Sequence, residues 1–362
     1  MDFTIDSEQR ALRDAAADLA ERHAPDYGSG DVTVGPAEHD AGLWAALAGL
    51  GGLGLPFPEA AGGFGASPVE VSLVAGELGR AGIRSAYGEA LVAASLLVDA
   101  DQTDLVGAVA DGAALVIPAL AEPGRAWSLA ASTVAAEGSG TGPDAWTLTG
   151  IKEPVQFAAA ASHIVVPAQA PDGLAVLLVS GPKVTANGRV ELAGAAATLL
   201  IGPDTAASAL ARAVNLGIVA LAGEAVGAMD TAMTMTVDYL KTRKQFGVPL
   251  MTFQTLTQRA ADMYVSLELA RSSAQFAAMA ITDDPDDSAS ISRAKVVIGQ
   301  SGRHIGQEAI QLHGGIGMTA EYAVGHLMTR LTAIEHTFGD TRQHLAALAA
   351  HVGDHESVDV LA

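Results

Sequence analysis

The 362-residue chain is predicted to be mainly α with a central β-domain. Three observations predict it. Apolar residues recur at helical spacing over long stretches at both ends, whereas between about residues 113 and 205 the pattern changes to short β-prone runs separated by Gly, Pro and Asp. The composition, 49% hydrophobic but only 4% aromatic, gives a core of Ala, Leu and Val whose small side chains suit close helix contacts. The division that follows is an N-terminal helical domain (1–112), a β-barrel-like middle domain (113–205) and a C-terminal domain (206–362) expected to be a four-helix bundle.

Between Ser7 and Ala24, Leu12, Ala15, Ala16 and Leu19 share one helical face, and Pro25 ends the pattern. A loop over Gly28–Asp40 leads to a short helix at Leu43–Leu50. The Gly- and Pro-punctuated connection Gly51–Gly65 follows, then helices at Val69–Gly79 and Ala86–Val98. The predicted strands are Ala113–Ile117, Trp146–Thr149, His163–Val166 and Leu174–Val179, in a mainly antiparallel arrangement. Helices are expected near 206–245, 252–281, 288–312 and 320–350, broken at Gly247-Val248-Pro249, at Asp283–Asp287 and at Gly314-Gly315. Gly217, Gly223 and Gly227 are spaced for close helix approach, which is expected to leave apolar surface exposed on an unpartnered bundle.

Charge and composition narrow the function. With 20 Lys plus Arg against 41 Asp plus Glu, the net charge of -21 repels a phosphate backbone, so nucleic acid is not an expected partner. The absence of cysteine removes thiol catalysis, Cys-ligated zinc and disulfides, and fits a reducing cytoplasm. The start has neither the basic nor the apolar region of a signal peptide. The apolar stretch Leu216–Met229 contains Glu224 and falls short of the ~20 residues of a membrane span, so a buried helix is expected and no membrane partner.

Two local motifs carry a chemical signal. At the expected end of a long helix stands Lys241-Thr242-Arg243-Lys244-Gln245-Phe246-Gly247, whose cations complement the helix dipole and whose guanidinium is also suited to a bidentate grip on pyrophosphate. Gln311-Leu312-His313-Gly314-Gly315-Ile316-Gly317 follows another helix; its glycines serve as a C-cap and also permit close backbone approach to a phosphate or nucleotide. No third ligand accompanies Glu335-His336 or His351/His355, so no metal site is expected.

Together, at this separation and behind this domain order, the motifs resemble the acyl-CoA dehydrogenase family. The likeness extends to Met1-Asp2-Phe3 with Glu8-Gln9, to Ala121-Glu122-Pro123 and to Gly150-Ile151-Lys152. The resemblance implies the acyl-CoA dehydrogenase fold and an FAD enzyme that oxidises an acyl-CoA thioester to the 2,3-enoyl-CoA. It also implies an electron-transfer flavoprotein or similar acceptor. Arg243, Phe246, Gln311, Gly314 and Gly315 are then expected to hold the adenine and pyrophosphate of an FAD whose isoalloxazine ring sits in the neighbouring subunit.

The chain departs from the family where the ring is bound. A family Thr-Glu-Pro-x-x-Gly-Ser-Asp segment reads Ala121-Glu122-Pro123-Gly124-Arg125-Ala126-Trp127-Ser128, so the hydroxyl before Glu122 is lost and Ser128 is the one candidate substitute. A family Gly-x-Lys-x-Trp-Ile-Thr/Ser segment reads Gly150-Ile151-Lys152-Glu153-Pro154-Val155-Gln156, and proline supplies neither a stacking ring nor an N–H.

It departs again at the base. Dehydrogenation needs a carboxylate to take the α-proton while the flavin takes the β-hydride; the family places it nine residues after an Arg equivalent to Arg330, which is Gly339 here, after Phe338. Members that carry it instead 26 residues before the Arg equivalent to Arg243 direct attention to residue 217, also glycine. No catalytic residue is therefore assigned to this chain.

The resemblance then implies the non-catalytic member of an α2β2 acyl-CoA dehydrogenase, paired with a homologous catalytic subunit and leaving half the usual FAD sites empty. Steroid side-chain CoA thioesters are the implied substrates, with the vacant sites giving room for a polycyclic acyl group. The alternatives are a self-sufficient homotetramer with its base relocated to Glu335 or Glu224, and a flavin-free structural or regulatory subunit. Asp340, beside the vacated position, is expected to point elsewhere.

Overall fold

The computed structural model describes residues 4–27, 38–130, 132–138, 142, 145–185 and 188–354. Met1-Asp2-Phe3, most of the expected loop over 28–40, and His355 lie outside them. Five helices come first: α1 (Ser7–Arg22), α2 (Ala41–Gly49), α3 (Pro68–Arg80), α4 (Tyr87–Asp99) and α5 (Thr103–Ala110). Asp6 and Gln9 start α1 with a reciprocal capping box, satisfying backbone donors that the first turn leaves free. Ser67 and Pro68 start α3 in the same spirit, one as cap and the other with its φ already set for a helix. The short α5, with Gly107 inside it, was not expected from the sequence.

The strands are β1 (Val116–Pro118), β2 (Ala135–Gly138), β3 (Trp146–Lys152), β4 (His163–Ala170), β5 (Gly173–Ser180), β6 (Val184–Thr185) and β7 (Arg189–Ile201). The sheet runs β1-β4-β2-β3-β7-β5, and β5 also pairs with β4, so five strands close into a small barrel. Closure removes the free edges an open sheet would present. Most pairings are antiparallel; β1–β4 and β2–β4 are parallel. The expectations shift here, and the short strands β2 and β6 were not expected. The first strand begins at Val116 rather than Ala113, and β7, the longest strand, was missed because its Ala-rich segment Leu192–Leu200 reads as helix former.

The chain then forms α6 (Pro203–Thr242), a hairpin of β8 (Lys244–Gln245) and β9 (Val248–Pro249), α7 (Gln254–Asp283), α8 (Ser288–His313), α9 (Ala323–His336) and α10 (Thr341–Ala350). α6 is apolar and long enough to cross a membrane, but 78% of its most apolar window is buried inside the chain, so it is a core helix. Its glycines are spent within the chain rather than on a partner. A Cβ at Gly227 would collide with the Gly76 carbonyl of α3, and one at Gly223 with that of Ser72.

The expected single helix over 320–350 is two. Phe338 (φ +59°) and Gly339 (φ +94°) take left-handed backbone, and Asp340 opens α10 with its own capping box to Gln343. Lys295, only 2% exposed, closes α9 by donating to the carbonyls of Ile334 (2.6 Å) and Glu335 (3.0 Å).

Candidate nucleotide and acyl site

The two C-terminal motifs meet at one end of the helical layer. Tyr239, on the last turn of α6, packs its ring 4.6 Å from His313 at the end of α8, and Tyr322 contacts the other motif at 5.1 Å from the same imidazole. Arg243 caps α6 and faces solvent, and among the described residues its guanidinium has no acidic partner. Phe246, 92% exposed with φ +54°, stands edge-on to Phe253 at 6.2 Å in the β8–β9 turn. Gln311, Gly314 and Gly315 are exposed, and nothing lies within 4 Å of a Cβ built on either glycine. An unpaired guanidinium, an exposed ring and two open backbone positions fit the adenosine diphosphate half of a cofactor approaching from outside the chain.

The other end of the expected cofactor site is differently built. Glu122 accepts from Lys152 Nζ (2.7 Å), from the Ser132 hydroxyl (2.6 Å) and from the Thr133 hydroxyl (2.6 Å). Burial opposes ionisation of Glu122, but the ammonium and the hydroxyls outweigh it and hold the carboxyl well below the usual range. Those hydroxyls are thereby spent on Glu122, and the Ser128 hydroxyl accepts from Ala130 N at 3.2 Å. Pro154 has no N–H. The remaining cleft, about 270 Å³, is bordered by Glu122, Arg125, Trp127, Ser128, Pro154 and His336 and lacks the Trp and hydroxyl that the family segment would place there.

Both family base positions are closed by packing. A Cβ at Gly217 would collide with Val92 of α4 and stand 2.9 Å from Phe338 Cε2; one at Gly339 would stand 2.9 Å from His344 Nε2 and 3.0 Å from Trp127 Cδ1. Glu224 and Asp340 are engaged, and Glu335 is hydrogen-bonded through one oxygen only. Arg330 donates to both oxygens of Glu224, and although burial opposes its charge, Glu224 outweighs this and raises the Arg330 pKa. Glu335 points to α8 and the α10 start, where it accepts from Thr341 N at 3.1 Å and a Cβ on Gly299 would meet its Cγ at 3.0 Å. Asp340 accepts from Gln343 N as the cap of α10.

Two buried groups escaped the sequence reading. Glu89, 5% exposed near Arg330, is pushed up to about 6 by burial, with Arg330 pulling the other way. Lys295 is brought down to about 7 by burial, with Glu335 and Asp340 opposing. A lone acid inside the apolar run Tyr87–Val98 was the available signal for the first; the exposed-looking helical context of Lys295 gave none.

Comparisons with known proteins bear on the fold and the family. The acyl-CoA dehydrogenase N-terminal domain matches residues 6–100 and the C-terminal domain matches 207–353. Acyl-CoA dehydrogenase FadE28 of Mycobacterium tuberculosis is 28% identical over 97% of this chain and 98% of its own, and the probable acyl-CoA dehydrogenase YngJ of Bacillus subtilis is 27% identical over 91% and 93%. Among solved structures, a variant of the Tcur3481-Tcur3483 steroid ACAD superposes with TM-score 0.85 at 30% identity, covering 96% of this chain and 98% of that one. The ChsE4-ChsE5 complex from Mycobacterium tuberculosis gives 0.86 at 26%, covering 99% and 100%. With the fold shared end to end and both terminal domains matched, the chain belongs to the FAD-dependent acyl-CoA dehydrogenase family.

Proposed function

We propose that this chain is the non-catalytic subunit of a heteromeric α2β2 acyl-CoA dehydrogenase, in which it supplies the adenosine diphosphate half of the FAD site to a catalytic partner. The observation that carries the reading is an asymmetry: Arg243, Phe246, Gln311, Gly314 and Gly315 stand open, while Gly217 and Gly339 leave no carboxylate and no room for one. Bound FAD supplies the hydride acceptor for converting an acyl-CoA to its 2-enoyl-CoA. In this reading Arg243 grips the pyrophosphate, Phe246 covers the adenine, and the glycines admit phosphate to the backbone; the base comes from the partner. An electron-transfer flavoprotein or similar acceptor takes the electrons onward.

Exposed apolar side chains support a partner. Phe246, Met251 and Phe253 flank the hairpin, Tyr264, Val265 and Leu269 mark one face of α7, and Ile316 and Met318 follow α8. Such a concentration on one part of a soluble chain marks an interaction surface. The steroid ACAD named above suggests a steroid side-chain thioester as substrate, and the ChsE4-ChsE5 complex a pairing of unlike chains. Its acyl group would lie in the partner; Val92 and Phe338 fill the space beside Gly217 in this chain, so this vacated site does not give the room for a polycyclic group that was expected of it.

The test is removal of the base in the assembled complex. A positioned general base contributes roughly 10²- to 10⁴-fold. Glu224→Gln, Glu335→Gln and Asp340→Asn in this chain are expected to leave kcat within about tenfold, and the carboxylate-to-amide change in the partner to abolish turnover with flavin still bound. Loss of turnover in Glu335→Gln or Glu224→Gln, with assembly and FAD intact, would make this subunit catalytic.

A further inference from the structure

The locus where the family resemblance would put this chain's own flavin ring is filled from both sides. From the barrel, Trp127 extends its indole to Phe338, the ring centroids 5.9 Å apart at 50°. From the helices, Phe338 is 6% exposed and, together with Val92 of α4, occupies the space a side chain at Gly217 of α6 would need. Barrel loop, helix break, α6 and α4 thus form one continuous stack of apolar contacts.

The stack is held in place. Phe338 sits at a left-handed φ that a bulky residue adopts only when its surroundings impose it. His344 Nε2 bonds the Phe338 carbonyl at 3.0 Å, His344 Nδ1 bonds the Ser292 hydroxyl at 3.0 Å, and Lys295 ties down the carbonyls of residues 334 and 335. The carboxylates bordering the remaining cleft are committed as well: Glu122 to Lys152 and Arg125, Glu153 to Arg189, Asp340 to α10.

We infer that Trp127 and Phe338 form a plug that keeps a flavin ring out of this chain's own cleft, so that the chain takes part in its partner's FAD site and has none of its own. The second clause rests on the heteromeric reading; the plug itself does not. Each half of a usual two-sided cofactor arrangement has gone its own way: the adenosine diphosphate surface is kept, and the ring surface is narrowed by the Trp127–Phe338 contact.

Lumiflavin, which carries the ring without the adenosine diphosphate arm, reads the ring cleft independently of Arg243 and of the partner. Titrated against the purified chain and followed by flavin fluorescence, it is expected to show no saturable binding to the parent up to roughly millimolar concentration. Trp127→Ala combined with Phe338→Ala is expected to gain saturable binding, tighter by at least about tenfold, because removing two rings leaves an apolar space that takes a matching ligand. Trp127→Ser, at a half-buried loop position, carries the same expectation should the double variant fail to fold. Parent binding as tight as the variant's, or no gain in a folded variant, overturns the plug. Failure of a complex to form would instead sink the heteromeric reading and leave the lumiflavin result standing.

Discussion

Arg330 on α9 grips Glu224 on α6 through two contacts of 2.5 and 2.8 Å, with both side chains about nine-tenths removed from solvent. This ion pair ties the helix after the glycine motif to the central helix, and it accounts for the acid most plausible as a displaced base. Breaking a buried pair from one side strands the other charge, at a cost of about 3–5 kcal/mol. Glu224→Gln is therefore expected to lower unfolding stability by that amount in urea melts of the assembled complex while kcat stays within about tenfold. Unchanged stability would show that the guanidinium finds compensation elsewhere, with Glu89 the first candidate.

Arg243→Ala is expected to weaken FAD binding to the complex by about 1.5–3 kcal/mol, roughly 10- to 150-fold, as for a lost charge-assisted hydrogen bond. Lys at the same place keeps charge but lacks the guanidinium fork, so rescue is expected to be incomplete. Flavin titration checks both; affinity unchanged in the Ala variant would reduce Arg243 to a helix-end charge.

Restoring the family residue is not expected to restore the reaction. Gly339→Glu must place a side chain at φ +94° against His344 and Trp127, a backbone region in which L residues are strained by about 1–3 kcal/mol before any clash. The expected outcome is a lower Tm and no dehydrogenase activity from this subunit in a complex whose partner base has been removed. Turnover in that complex would show that the glycine is a recent loss in an otherwise intact site.

Lys295 gives a pH dependence with a definite sign. Folded, it releases its proton near 7 because burial disfavours the ammonium, whereas the ordinary value is 10.5. Holding the proton while folded is thus a cost, fully present below about pH 7 and fading as pH rises toward 10.5. Relative to Lys295→Met, the parent is expected to gain stability with rising pH in that window, by at most about 1.4 kcal/mol per pH unit. Urea melts at pH 7, 8 and 9 measure the difference, and a flat difference contradicts it.

Much of this was legible in the sequence because local chemistry agreed with the fold. Asp6 and Gln9 announce α1, and the glycines at 314 and 315 mark where α8 ends. Arg243 and Gln311, 68 residues apart, were predictable as one surface only through the family likeness; the Tyr239–His313 contact supplies its physical basis. Illegible features were set by tertiary packing. Gly339 followed by the Asp340-to-Gln343 capping pattern was a local sign of a new helix that the 320–350 reading passed over, whereas the left-handed backbone at Phe338 is imposed by Lys295 and His344 and could not be read locally. The glycine row of α6 was read as a surface for a partner, and it serves α3 and α4 instead. Trp127 looked like a lost serine, and only its contact with Phe338 reveals what it gained.

The most direct test of the central claim is the flavin content of this chain purified alone and purified together with its catalytic partner. The expected result is a chain that is colourless and poorly soluble alone, and a yellow complex whose FAD affinity falls roughly 10- to 150-fold when Arg243 is replaced by Ala. A yellow, monodisperse, FAD-loaded homotetramer from the chain alone, turning over an acyl-CoA, would contradict it.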